Sequence, residues 1–346
     1  MKIGEKRLDP DGPMYIIAEL SGNHHQDLDT AKRMVREAAA SGADAVKLQT
    51  YTPDTLTIDS DERWFRVGEG TLWTGRTLYD LYGEACTPWE WHGEIFDEAR
   101  RCGVDCFSSP FDRTAVDFLE ELDPPAYKIA SFELVDLDLI EYTASQGRPM
   151  ILSTGMATLE EIEAGVAAAR RGGCEDLAIL RCNSAYPAPP EEMGLRAIPD
   201  LAERFQVPVG LSDHTLGDEV ALSARVLGAC VLEKHFCLDR SKPGPDTEFS
   251  MEPAEWRAMV DRIRRVEASL GEPRYGPSER EKPSLAFRRS LFVVEDTAAG
   301  DELSRDNIRS IRPGHGLAPK ELPRVLGRKA AHDLKRGTPL RWEDVL

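Results

Sequence analysis

No apolar run in this 346-residue chain approaches the roughly 20 residues of a membrane span, so no membrane-crossing helix is expected. There is no basic excess either. Lys and Arg number 43 against 61 Asp and Glu, a formal charge of −18, which excludes the positive face that nucleic acid requires. The N-terminus offers only the short run MYIIA, without a small-residue cleavage site, so no secretory signal is expected. Seven cysteines, odd in number and mostly inside expected strands or helices, do not make a disulfide framework, and a cytoplasmic location follows. The acidic balance does not bar an anionic small substrate. Surface charge is screened over about 10 Å at 0.1 M salt, and lysines inside a pocket would outweigh it.

What the chain does have is eight short apolar runs, nearly all ending in chemically useful residues. They close on Glu19, on Lys47 with Gln49, on Ser108 with Ser109, on Lys128 with Ser131, on Ser153 with Thr154, on Asn183 with Ser184, on Asp213 with His214, and on Glu233 with His235. Stretches with helical spacing separate them, such as LEEIEAGVAAARRGG, and a first helix is expected over Leu28–Ala40 with Asp27 or Asp29 as its cap. Runs without alternation suit strands buried on both faces. The pattern predicts a (β/α)8 TIM barrel over residues 1–270, whose strand ends meet at one face. One connection is far too long for a βα loop: residues 51–88 carry Trp64, Phe65, Trp73, Tyr79 and Tyr82, and are expected to form a lid or pocket wall. The Pro-, Gly- and charge-rich stretch 271–283 reads as a linker, and 284–346 as a small β-rich domain.

Barrel geometry would make neighbours of His214 and His235, a pair suited to a divalent transition metal such as Mn²⁺ or Zn²⁺, with Glu19, Glu233 and Asp246 at hand. Lys47 and Lys128 would point into the mouth and need an anion, because an unpaired buried charge is very costly. With Ser131, Ser153 and Ser212 they form a cradle for phosphate and carboxylate; a Schiff-base lysine is the rival reading. Cys182 is assigned to the core as a small hydrophobe. His24 and His25 stand in a loop where substrate contact and simple exposure are both open, and Arg312 could fork onto a carboxylate.

The strings IAELSGNH, KLQTYTPDTLT, FSSPFD, YKIASFE, STGMAT, SAYPAP, GLSDHT, LEKHF and GPDTEFSMEP together resemble the sialic acid synthase family. KLQTYTPDT and the LYDLY–TPWEWH insertion are similar to its pseudaminic acid synthase branch, and the C-terminal stretch resembles the family's antifreeze-like (SAF) domain. The resemblance implies condensation of phosphoenolpyruvate with an open-chain amino sugar, 2,4-diacetamido-2,4,6-trideoxy-L-altrose for this branch. N-acetylneuraminate or legionaminate synthesis is the alternative. It further implies Mn²⁺ on His214 and His235, and substrate contacts from Lys47, Gln49, Ser109, Phe111, Lys128, Ser131, Ser153, Ser184, Tyr186 and Ser212. Glu19, Glu233 and Asp246 would handle protons, water and sugar hydroxyls, and a domain-swapped homodimer would bring Arg312 into the partner's site. Asn183 and Ser184 depart from the family's usual threonine–asparagine pair, and Arg181 from its lysine or histidine.

Overall fold

In the computed structural model, which describes residues 1–68 and 72–346, eight parallel strands close into a barrel. They are β1 (Tyr15–Glu19), β2 (Ala45–Thr50), β3 (Asp105–Pro110), β4 (Tyr127–Ile129), β5 (Met150–Ser153), β6 (Leu177–Cys182), β7 (Val209–Asp213) and β8 (Val231–His235). A helix follows each: α1 (Leu28–Ala40), α2 (His92–Cys102), α3 (Arg113–Glu120), α4 (Leu137–Ala144), α5 (Leu159–Arg171), α6 (Ala197–Phe205), α7 (Glu219–Val226) and α8 (Pro253–Leu270). The helix starts are chemically marked. Asp27, Asp112 and Asp136 accept from free backbone N–H groups of the first turns, and Thr158 forms a capping box with Glu161.

Alternation along the strands sorts every polar end residue. Ile17, Ala45, Phe107, Ala126, Ile151, Ala178, Leu180 and Val231 pack together inside the barrel, while Ala18, Val46, Tyr127, Leu152, Ile179, Leu211 and Leu232 face the helices. Two residues further along the inward row come Glu19, Lys47, Ser109, Lys128, Ser153, Cys182 and Glu233, with His235 next. The outward row holds Ser108, whose hydroxyl meets Thr50 at 2.6 Å, and Lys234, paired with Asp213 at 2.9 Å. Ser108 and Asp213 are therefore framework residues, although each ends an apolar run.

An N-terminal hairpin (Lys2–Ile3 with Lys6–Arg7), absent from the sequence-based expectation, adds Ile3 and Leu8 to the barrel's inner core. The insertion of 51–88 contains positions 69–71, which lie outside the described residues. The rest of it holds a one-turn helix Pro53–Leu56, a 3₁₀ turn Arg63–Phe65 and a helix Leu78–Ala85. Among the described residues no helix is long and apolar enough to cross a membrane.

The chain divides into two compact units, Met1–Gly271 and Glu272–Leu346. The second is built on the antiparallel pair β9 (Ser290–Val293) and β10 (Ile308–Ile311), with its own core of Leu291, Val293, Leu303, Ile308, Val325, Ala330, Leu334 and Leu340.

Candidate active site

The barrel mouth holds two joined chambers. An inner recess of about 50 Å³ is lined by Glu19, Lys47, Lys128, Ser153, Cys182, Ser212, His214 and Glu233. It opens on an outer cavity of about 360 Å³ walled by Tyr51, Phe111, Glu133, Asp246 and the insertion. Gln49, Ser131, Tyr186 and His235 line both. A third hollow, about 430 Å³ beside α8, carries no such chemistry: its Arg240 and Arg262 already pair with Glu255 and Asp218 at 2.5 and 2.6 Å.

Register explains the inner recess. Glu19 lies level with Lys47 on one side and His235 on the other, and Glu233 lies level with Ser212. The Lys47 ammonium pairs with Glu19, lies 3.6 Å from Glu233, and donates to Ser109 Oγ at 3.2 Å. Lys128 Nζ lies 3.7 Å from Glu233 and donates to the Ile129 carbonyl at 3.2 Å. Both lysines thus have anionic neighbours within the protein, the carboxylates of Glu19 and Glu233. Two cations against two anions leave the recess near balance, and an entering anion competes for the lysines.

Burial and the nearby Glu233 carboxylate raise the Glu19 carboxyl above its ordinary value, against the pull of Lys47. For Glu233 burial acts upward too, but Lys128 and Lys47 outweigh it and hold the group down. Environments that push two neighbouring carboxylates apart separate a proton carrier from a fixed charge. Gln49 Nε2 donates to Glu19 Oε1 at 3.1 Å, as does the Ser21 amide at 3.0 Å, and the two bonds orient the carboxylate. Ser131 and Ser184 hydroxyls meet at 2.8 Å. Gly155 makes that pair possible: a Cβ there would stand 2.5 Å from Ser131 Cβ and 2.9 Å from Ser184 Oγ. Ser153 Oγ is buried with no hydrogen-bond partner among the described residues.

The His214 and His235 rings lie 5.3 Å apart, and Tyr186 packs on His214 at 4.4 Å. His214 Nδ1 donates to the Asn183 carbonyl at 2.7 Å, the usual outer support of a metal-binding imidazole; against burial, the Cys182 sulfur and that carbonyl raise the ring above its ordinary value, so a metal at Nε2 would compete with a proton. Burial, His214 and the lysines keep His235 neutral, and its buried Nδ1 has no hydrogen-bond partner among the described residues. Among the described residues no cluster of three or more His, Cys, Asp or Glu surrounds one point. The two imidazoles are thus the nitrogen donors that the mouth could offer a cation, without a third His, Cys, Asp or Glu placed beside them among the described residues.

Several residues stand differently from the sequence expectation. Cys182 is not in the core; its sulfur lies 3.9 Å from both His214 Nδ1 and Ser184 Oγ, facing the recess on the inward row. His24 is buried and structural: its Nδ1 accepts from the Gln26 amide at 3.2 Å and its Nε2 meets Thr87 Oγ1 at 3.1 Å. Burial lowers its pKa to about 4, so it stays neutral. Asp246, raised by burial, bonds Ser21, and Phe111 sits edge-on to Tyr51 at 5.0 Å. Arg312 lies exposed after β10 in the second unit. Glu133, not singled out from the sequence, lines the outer cavity; burial pushes its carboxyl up to about 7, and Oε2 has no hydrogen-bond partner among the described residues. The acidic residue in YKIASFE was its only sequence signal.

The profile of the NeuB family matches residues 34–275, and that of the SAF domain residues 288–346. The chain belongs to the NeuB family. It is 46% identical to the pseudaminic acid synthase of Helicobacter pylori over 96% of this chain and 98% of that one. Identity to the N,N'-diacetyllegionaminic acid synthase of Legionella pneumophila is 37%, over 96% and 94%. Among solved structures, the N-acetylneuraminic acid synthetase of Leptospira borgpetersenii, crystallised with citrate, matches with TM-score 0.73 and 29% identity, covering 82% of this chain and 94% of that one. These NeuB relatives agree with the barrel and the SAF unit.

Proposed function

We propose that this NeuB-family chain is a pseudaminic acid synthase, joining phosphoenolpyruvate to 2,4-diacetamido-2,4,6-trideoxy-L-altrose with release of phosphate. The observation that carries this reading is the pair of joined chambers: a lysine-lined recess of anion chemistry opening on a larger, partly apolar cavity. The 46% identity to a pseudaminic acid synthase supports the choice of branch.

Lys47 and Lys128, with Ser131, Ser153, Ser184 and Ser212, hold the carboxylate and phosphate in the recess. Gln49, Tyr186, Phe111 and Asp246 hold the sugar in the outer chamber. His214 and His235 would hold a divalent metal, for which we propose Mn²⁺, and it would supply Lewis acidity toward the sugar aldehyde. The enol carbon C3 attacks the aldehyde carbon, and the new hydroxyl takes its proton from Glu133, whose carboxyl near 7 suits that transfer. C2 is left electron-poor. Water adds there, giving its proton to Glu19, while Glu233 stays ionised and steadies the cationic carbon. The tetrahedral intermediate then breaks its C2–O bond to phosphate while the C2 hydroxyl passes its proton to the departing phosphate, whose charge the lysines stabilise; a C2 ketone remains.

A second copy supplies Arg312 across a domain-swapped dimer. Support comes from its exposure on the second unit and from Phe132, Val135, Met156 and Leu216, exposed on loops after β4, β5 and β7. The enzyme works in the cytoplasm, where reducing conditions suit its free cysteines. The test is phosphate release from phosphoenolpyruvate, Mn²⁺ and the diacetamido sugar. No release at saturating substrates refutes the reading. Faster turnover with N-acetylmannosamine or a legionaminic precursor transfers it to the alternative branch.

A further inference from the structure

The outer cavity has two unlike sides. Barrel strand ends and loops give it Gln49, Ser131, Glu133 and Asp246; the insertion gives it Leu56, Val67, Leu78, Leu81 and Ala85. In the helix Leu78–Ala85, positions 78, 81, 82 and 85 fall at i, i+3, i+4 and i+7, and all four line the cavity. None of them belongs to the core packed between strands and helices. An amphipathic helix ordinarily buries such a stripe against its own protein. Here Leu81 and Ala85 are buried and Leu78 and Tyr82 half-buried, and all four form the apolar wall of the cavity.

The helix is also held rigidly. Gln26 Nε2 donates to the carbonyls of Glu84 and Cys86 at 2.9 and 2.6 Å, and His24 meets Thr87 at 3.1 Å. Gly22 admits the close approach, since a Cβ there would lie 3.0 Å from Ala85 Cα. Ser21, His25 and Gln26 adopt left-handed backbone at φ 47°, 52° and 53° to make this clamp, a conformation retained where the surroundings enforce it. On the other side Trp73 Nε1 donates to the Pro245 carbonyl at 2.8 Å.

We propose that the insertion's apolar stripe, chiefly Leu56, Leu78 and Leu81, is the specificity determinant that selects a sugar bearing methyl groups at its far end. The inference rests on the synthase reading above and names which end of the substrate meets the insertion. The diacetamido trideoxy sugar carries a C6 methyl and an acetamido methyl at C4, where N-acetylmannosamine carries hydroxyls. A hydroxyl against three leucines loses its water and gains no partner, whereas a methyl gains contact. A hydrophobic pocket discriminates by about 10- to 200-fold per such group.

The experiment measures kcat/KM of the Mn²⁺-loaded enzyme for both sugars, with the KM for phosphoenolpyruvate alongside. Leu78→Asn and, on a separate element, Leu56→Asn are each expected to lower the preference for the diacetamido sugar about tenfold or more. The KM for phosphoenolpyruvate should stay within about twofold, and Leu78→Met should keep the wild-type preference. An unchanged preference in both variants overturns the inference, as does an equal loss on both sugars. If the wild type releases phosphate with neither sugar, the synthase reading itself fails. If it works and only the preference fails to move, the specificity assignment alone is wrong.

Discussion

The floor of the mouth and its insertion wall are built on opposite principles. The floor places ionised groups on strand ends, one residue level with another across the ladder, and buries them: Glu19, Lys47, Lys128 and Glu233 are all no more than 5% exposed. The wall is a short helix with one half-buried leucine, Leu78, and one buried, Leu81, fastened to the barrel by side chain to backbone bonds from one strained loop. A floor of mutually paired charges tolerates no single deletion, since the partner left behind is buried and uncompensated. A wall of apolar contacts fails by degrees. Chemistry common to many sugars suits the first arrangement, and choice among sugars suits the second.

The contrast breaks most sharply at the metal. Chelation should abolish phosphate release, and added Mn²⁺ should restore it; full activity after exhaustive chelation would remove His214 and His235 from the machinery. Lys47→Met should follow, with at least about a thousandfold loss in kcat/KM and a lower melting temperature, because one change removes an anion ligand and strands Glu19. Both are read from steady-state kinetics and a thermal melt.

Glu133→Gln should cost about a hundredfold in kcat. Its signature is in the pH profile. The folded carboxyl titrates near 7, so a donor there is active below that pH and lost above it. The wild-type rate should therefore fall through pH 7 as pH rises, and the variant should lack that limb. The same raised value gives a stability sign: folded Glu133 keeps its proton above the unfolded value of 4.5, so its contribution weakens as pH climbs from there through 7.

Gln26→Ala should have the smallest effect, loosening the wall and raising the sugar KM about threefold, consistent with loss of hydrogen bonds worth about 1 kcal/mol net. The KM for phosphoenolpyruvate should not move. A matching rise in both constants would show that wall and floor are not separable.

Legibility followed the same division. Polar residues ending eight apolar runs announce a barrel mouth, and most site residues could be named from them. The runs themselves do not say which residue of an adjacent pair turns inward, because strands apolar on both faces show no alternation. Cys182 reads as a core residue on its hydrophobicity alone, while Ser108 and Asp213 look as available as Ser109 and His214. The wall was legible only as a long aromatic-rich excursion. Its leucine stripe has the spacing of any core-facing helix, and no local pattern says that a stripe faces a cavity. His24 was ambiguous for a related reason. A buried imidazole accepting from one neighbour and donating to another looks, in sequence, like an exposed loop histidine.

The most direct test of the account is a competition in one vessel. Purified enzyme with Mn²⁺ and phosphoenolpyruvate is given equal concentrations of the diacetamido trideoxy sugar and N-acetylmannosamine, and the nine-carbon products are weighed by mass spectrometry against phosphate released. The account predicts one phosphate per product, with the diacetamido product in at least about tenfold excess. Predominant N-acetylneuraminate, or phosphate released without any nine-carbon product, would contradict it.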